Sequence, residues 1–211
     1  MSALSNPRYT PEQYLEMDRK AECRSEYVNG EILAMAGASR EHNRMTLNIG
    51  TSLTGQLRGK PCEPFTSDLR VRISPVRYAY PDVVVACDPL DFEDGSLDIL
   101  RNPVVIMEVL SPTTESDDRS WKFAYCRRTA TLTDYVMLSQ YQPFVEHYTR
   151  QINDQWVLTE LSGLEAVLRL PSIGCELPLS EIYERVEFAP DPAMPALRLT
   201  EDDAPSQEER P

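Results

Sequence analysis

Residues 80–89 read YPDVVVACDP and residues 102–112 read NPVVIMEVLSP, and these two stretches decide the fold. In each, a β-branched run is nearly continuous instead of alternating, the pattern of a central strand buried on both faces. Each also carries an acid that such a strand has no ordinary use for. Asp82 stands at the entrance of VVVAC, and Glu108 lies inside VVIMEVL. If the two strands neighbour each other across one loop, their carboxylates converge at one rim of a sheet. Asp82 by itself reads more readily as a strand-entry or turn residue. Glu108 is harder to dismiss, because a buried acid without a partner is costly. Either a metal ion or a cation such as Arg70, Arg72 or Lys122 must meet it.

The flanks of these strands read as alternating helical and extended segments. TPEQYLEMDRK (10–20) offers Thr10 as N-cap and Pro11 at the first helical position, with Tyr14, Leu15 and Met17 at helical spacing. RSEYVNGEILAMAG (24–37) holds Asn29-Gly30 between extended runs, the strongest short hairpin signal. A long helix is predicted from Ser39, with Met45, Leu47, Ile49, Leu53 and Leu57 as core candidates and Gly59 as its stop. Strands are predicted at Cys62 to Thr66 and Asp68 to Ile73. DPLDFEDGSLDILRNP (88–103) reads as an acidic, mobile loop, and TTESDDRSWKFAYCRR (113–128) as a helix with acids early and arginines late. DYVMLSQ, FVEHYTR, QWVLTEL and EAVLRL read as further strands with an antiparallel succession among them, and LPLSEIYERV (177–186) as a closing short helix. The pattern is a mixed α/β or α+β single domain over residues 1–188. Residues 189–211 form an acidic, Pro-rich tail expected to be disordered.

Composition narrows the chemistry. The chain has 211 residues, 41% apolar and 26% charged, with a net charge of −13. A global basic footprint for nucleic acid is therefore absent, which counts against non-specific coating of DNA though not against a local metal-dependent site. No apolar run approaches the ~18 residues of a membrane span, and the N-terminus lacks a secretory pattern. Cys23, Cys62, Cys87, Cys126 and Cys175 are scattered, odd in number and form no CxxC, so they read as reduced thiols of a cytoplasmic protein. There is no GxxxxGK[ST] loop, HExxH, GxSxG or GxGxxG. Two histidines and single cysteines make a structural zinc site a poor fit.

YPDVVV, then VVIMEVLSP, then a helix containing Lys122 resembles the PD-(D/E)xK nuclease superfamily. More closely, the order SEYVNGEI, EHN, SDLRVRI, YPDVVV, NPVVIMEVLSPTTESDDRSWKFAYCR and DYVMLSQ is similar to the Uma-two family of restriction endonuclease-like proteins. The resemblance runs from about Tyr9 to Val186. It implies a restriction-endonuclease-like core, a mixed β-sheet flanked by helices with an N-terminal helix and hairpin. It also implies an Mg²⁺- or Mn²⁺-dependent phosphodiesterase that hydrolyses DNA. By the same resemblance Asp82 and Glu108 are the metal ligands, with Glu26 as a further ligand or base. The superfamily's lysine belongs two places after the second acid, where this chain has Leu110. Leu110 shares a strand face with Glu108, so the slot exists but is apolar. The amine is then expected on the following helix, at Lys122, with His42 a weaker member of the set. Tyr78, Tyr80 and Trp121 flank the proposed site and could stack on bases. A homodimer is expected, since two strands need two sites. The alternative is a catalytically inactive binding or assembly module, favoured by Leu110 and the negative charge.

Overall fold

The computed structural model describes residues 8–35 and 37–190. Its first elements are helix α1 (Pro11–Lys20), strands β1 (Ser25–Val28) and β2 (Glu31–Ala34), and helix α2 (Arg40–Leu57). Thr10 closes a capping box with Gln13 at the start of α1, so two otherwise orphaned N–H groups are satisfied reciprocally. Asn29 and Gly30 join β1 to β2 with φ of 51° and 97°, the left-handed pair that a two-residue hairpin turn requires. A Cβ at Gly30 would also stand 3.2 Å from the Cβ of Arg8. Gly30→Ala is expected to cost roughly 1–3 kcal/mol in urea unfolding, since strain and crowding act together.

Strands β3 (Cys62–Thr66), β4 (Arg70–Ser74), β5 (Arg77–Ala79), β6 (Val83–Cys87), β7 (Ile99–Leu100) and β8 (Pro103–Leu110) follow. After them come α3 (Glu115–Asp117), a π-helical turn (Asp118–Lys122) and α4 (Phe123–Cys126). The chain then runs through β9 (Asp134–Ser139), β10 (Phe144–Arg150), β11 (Trp156–Ser162), β12 (Val167–Leu170), β13 (Cys175–Pro178) and α5 (Leu179–Ile182).

The central sheet has the order β11-β10-β9-β8-β6-β3. Only β8 and β9 are parallel within it, so it is mixed. A second sheet, β2-β1-β5-β4-β7, and a β12-β13 pair complete the strands. Alternation along β6 and β8 splits the core. Val83, Val85, Val105, Met107 and Val109 face α2, whose Met45, Ile49, Leu53 and Leu57 pack on them. Val84, Ala86, Ile106 and Leu110 face the opposite way, toward the second sheet and the helical segment after β8. Two-sided burial is why these strands read as continuous apolar runs. A third cluster of Tyr14, Tyr27, Tyr78 and Ile99 joins α1 to the second sheet.

Several expectations need correction. Leu47 points outward from α2 and is 58% exposed, and Met17 is 48% exposed, because helical spacing does not say where the buried stripe ends. EAVLRL is a strand, as its pattern implies, and pairs with β13 outside the β9-β10-β11 meander. The 88–103 segment is not a free loop: β7 pairs with β4, and Arg19 bridges Asp94 and Asp98. The five thiols are not all reduced. Cys62 and Cys87 face each other in the β3–β6 register and form a disulfide. Spacing could not reveal a pairing that only strand register creates. The acidic Pro-rich tail lies, from residue 191, outside the described residues. Among the described residues no helix is long and apolar enough to cross a membrane.

Candidate active site

Antiparallel pairing sets Val83 opposite Met107, so the next step in register brings Asp82 opposite Glu108. Both side chains fall on the face of Ile106 and Leu110. Each carboxylate caps the other strand: the backbone N of Val109 donates to Asp82 Oδ2 at 2.8 Å, and the backbone N of Asp82 donates to Glu108 Oε2 at 3.2 Å. The rim convergence that the two strands imply is thus present, with Glu108 only 3% exposed.

Lys122 approaches from the helical segment. Its Nζ lies 2.9 Å from Asp118, 3.0 Å from Glu26 and 3.6 Å from Glu108. The π-helical turn accounts for the first of these, because residues four apart in it stand nearly above one another. Asp118 and Lys122 are both buried there. Of the cations that could have met Glu108, Arg70 goes to Asp18 and Arg72 to Glu93, leaving Lys122. Glu26 enters from β1 and accepts the backbone N–H of Tyr80 at 3.4 Å. Leu110 is buried in the apolar cluster beneath.

His42 sits in the first turn of α2, where its N–H donates to the N-cap Ser39 hydroxyl, and its Nε2 lies 3.0 Å from Asp82 Oδ2. All five expected residues, Glu26, His42, Asp82, Glu108 and Lys122, line one cavity of about 470 Å³. Tyr80 lines it too, but Tyr78 and Trp121 do not: Tyr78 packs at a tilt in the α1 cluster and Trp121 packs against the apolar cluster beneath the site. The sequence does not mark Asp118 as a member of the site. An acid four residues before Lys122 is a helical pairing signal, yet Glu115, Asp117 and Asp118 crowd the same segment and spacing alone did not select one.

Electrostatics follow from the imbalance of charge. Burial raises Glu108 well above the ordinary carboxylate range, and Asp118, Asp82 and Glu26 add to the shift while Lys122 opposes it. Burial likewise raises Glu26 and Asp118 against the pull of Lys122. For Lys122 burial works downward, but Glu108, Glu26 and Asp118 outweigh it and hold the amine well above its ordinary value. Lys122 is therefore an ammonium, a fixed charge and hydrogen-bond donor.

Burial would lower His42, yet its bond to Asp82 raises it overall. A raised folded value means that the pair's stabilisation is complete below the ordinary imidazole value of 6.5 and is lost as pH rises through the folded value. The stability advantage of the native protein over His42→Gln is expected to shrink from mildly acidic to mildly alkaline buffer. Urea midpoints across that range check it; an advantage that grows with pH contradicts the pairing.

Among the described residues no three His, Cys, Asp or Glu side chains are arranged as a preformed metal site. The donor set still suits a hard cation. Mg²⁺ keeps several waters and commonly takes one or two protein carboxylates, and Asp82 and Glu108 supply two oxygen donors at one rim. The carboxylates of Glu26, Asp82, Glu108 and Asp118 face one ammonium and one imidazole, so a further cation would relieve a real excess.

Residues 11–180 match the Uma2 family, described as "Putative restriction endonuclease". Two proteins of Synechocystis sp. are similar. The "Uncharacterized protein sll1609" is 38% identical over 158 residues, spanning 74% of this chain and 89% of that one. The "Uncharacterized protein slr1290" is 32% identical over 183 residues, spanning 86% and 95%. A crystal structure from Anabaena variabilis, described as "a putative nuclease belonging to DUF820", superposes with a TM-score of 0.69 at 16% identity, covering 83% of this chain and 97% of that one. At that identity the likeness concerns the fold, which is the nuclease-like arrangement of mixed sheet and helices expected from the sequence. The match across most of the domain and the two relatives place the chain in a family: it belongs to Uma2.

Proposed function

We propose that the protein is an Mg²⁺- or Mn²⁺-dependent endonuclease that hydrolyses phosphodiester bonds of DNA. The observation that carries the reading is the opposition of Asp82 and Glu108 across two paired strands, with the Lys122 ammonium beside them in one cavity. Asp82 and Glu108 would hold the ion, which when bound polarises the scissile phosphate and acidifies a water. Lys122 carries the charge that offsets the developing negative oxygen, a task suited to a group that stays protonated. It cannot also accept a proton. Glu26, whose carboxyl is raised by burial and stands 3.0 Å from Lys122, is better placed as the general base. His42 orients Asp82 through the bond to Oδ2. Leu110 contributes no amine and is buried in the apolar cluster beneath the site. A homodimer would provide one such site for each strand of a duplex.

The test is plasmid nicking in Mn²⁺ with Asp82→Ala beside the native protein. Nicking by the native protein that disappears in the variant supports the reading. Nicking that survives the substitution points to a contaminant and sinks it. A second reading, a binding or assembly module that keeps the fold without catalysis, draws on Leu110 and on the absence of a preformed three-ligand site among the described residues. Folded protein that neither nicks nor binds metal favours it.

A further inference from the structure

Helix α1 contributes no residue to the cavity, yet it buries a carboxylate with every acceptor direction occupied. Asp18 is 1% exposed. Its Oδ1 accepts from the backbone N of Ser25 at 2.9 Å and from the Ser25 hydroxyl at 2.8 Å. Its Oδ2 accepts from Arg70 Nη2 at 2.6 Å and from the Tyr80 hydroxyl at 2.5 Å. Those donors come from three separate segments of chain. Two of them flank Glu26: Ser25 precedes it in β1, and Tyr80 is the residue whose backbone N–H donates to Glu26 Oε1.

We propose that Asp18 is a positioning residue, which fixes Glu26 against Lys122 by holding Ser25 and Tyr80 at once. The proposal rests on the nuclease reading for its catalytic consequence. Its physical basis is directional. An interior Asp–Arg pair is weak evidence of stability, because apolar residues of similar volume often do as well. What such a pair supplies is orientation, and here the orientation is over-determined. Arg70 is held from its other side by Asp98 at 3.1 Å, and Asp98 in turn by Arg19 of α1 at 2.9 Å. The Arg70 guanidinium also lies over the rings of Tyr14 and Tyr80, at 5.6 Å and 5.3 Å. A catalytic group held by packed, hydrogen-bonded supports keeps the sub-ångström placement that proton transfer needs.

An amide at position 18 cannot serve all four donors. With its oxygen toward Arg70, its NH₂ confronts the Ser25 N–H; turned over, it confronts Arg70. Either way one flank of Glu26 is released. The experiment is a cycle of native protein, Asp18→Asn, Glu26→Gln and the double variant, read by Mn²⁺-dependent plasmid nicking and by urea midpoints. Asp18→Asn is expected to lower kcat about tenfold or more, with KM little changed, and to lower it no further in the Glu26→Gln background. An equal loss in both backgrounds means a merely structural role and overturns the proposal. Tyr80→Phe, which leaves the Asp18–Arg70 pair intact, is the milder variant should Asp18→Asn fail to fold, with a smaller loss and the same dependence on background. If the native protein does not nick at all, the nuclease reading fails separately. The midpoints then decide the positioning: non-additive shifts uphold the coupling of Asp18 to Glu26, and additive shifts reject it.

Discussion

Lys122→Ala is expected to lose nicking and to cost about 3–5 kcal/mol of folding free energy, the scale for removing one partner of a buried ionic cluster. Among the described residues Lys122 is the single ammonium beside Glu26, Glu108 and Asp118, all of them buried. Without it three buried carboxylates remain with no cation between them. The deficit should shrink in acid, because burial has already raised these carboxyls above their ordinary values and protons can supply the missing compensation. Urea unfolding of the variant at neutral and acidic pH tests this. A deficit under about 1 kcal/mol would be the behaviour of an exposed lysine and would contradict its burial in the cluster.

Glu108→Gln is expected to act in the opposite sense on stability while also abolishing activity. Burial and three neighbouring acids push the Glu108 carboxyl well above its ordinary range, so its ionised form destabilises the folded state at neutral pH. Removing that charge leaves Lys122 with Glu26 and Asp118 and should raise the urea midpoint. The sign with pH is fixed: the gain is present above the ordinary glutamate value of 4.5 and vanishes as pH falls toward it, where both proteins are neutral at this position. Nicking should fall about a hundredfold or more, the scale for losing one preorganised electrostatic contact. More stable and inactive is the pattern of a functional site kept at a cost to stability. A variant that is both less stable and fully active contradicts the assignment. The double variant Lys122→Ala, Glu108→Gln should recover part of the stability lost by Lys122→Ala alone.

Much of this site could be read from the chain because its parts depend on local rules. Two runs of buried-strand composition joined by one connection tend to pair, and pairing alone brings Asp82 opposite Glu108. The Asn29-Gly30 turn and the Thr10 cap likewise follow from neighbours in sequence. What escaped was set by long-range register or by choice among equivalents. Cys62 and Cys87 are 25 residues apart, and only the β3–β6 alignment makes them partners. Asp18 and Arg70 are 52 apart, and nothing in TPEQYLEMDRK marks Asp18 for the interior. Asp118 lay within a run of similar acids, and the π-helical turn that buries it has no pattern of its own. Leu47 shows the limit of periodicity, which finds a helix more readily than the edges of its buried face.

The most direct test of the account is a calorimetric titration of the native protein with Mn²⁺, repeated on Asp82→Ala and Glu108→Gln. Saturable binding by the native protein is expected, and either substitution should remove it with both variants still folded. No heat of binding at millimolar metal, or equal binding by all three proteins, would contradict a metal site between Asp82 and Glu108.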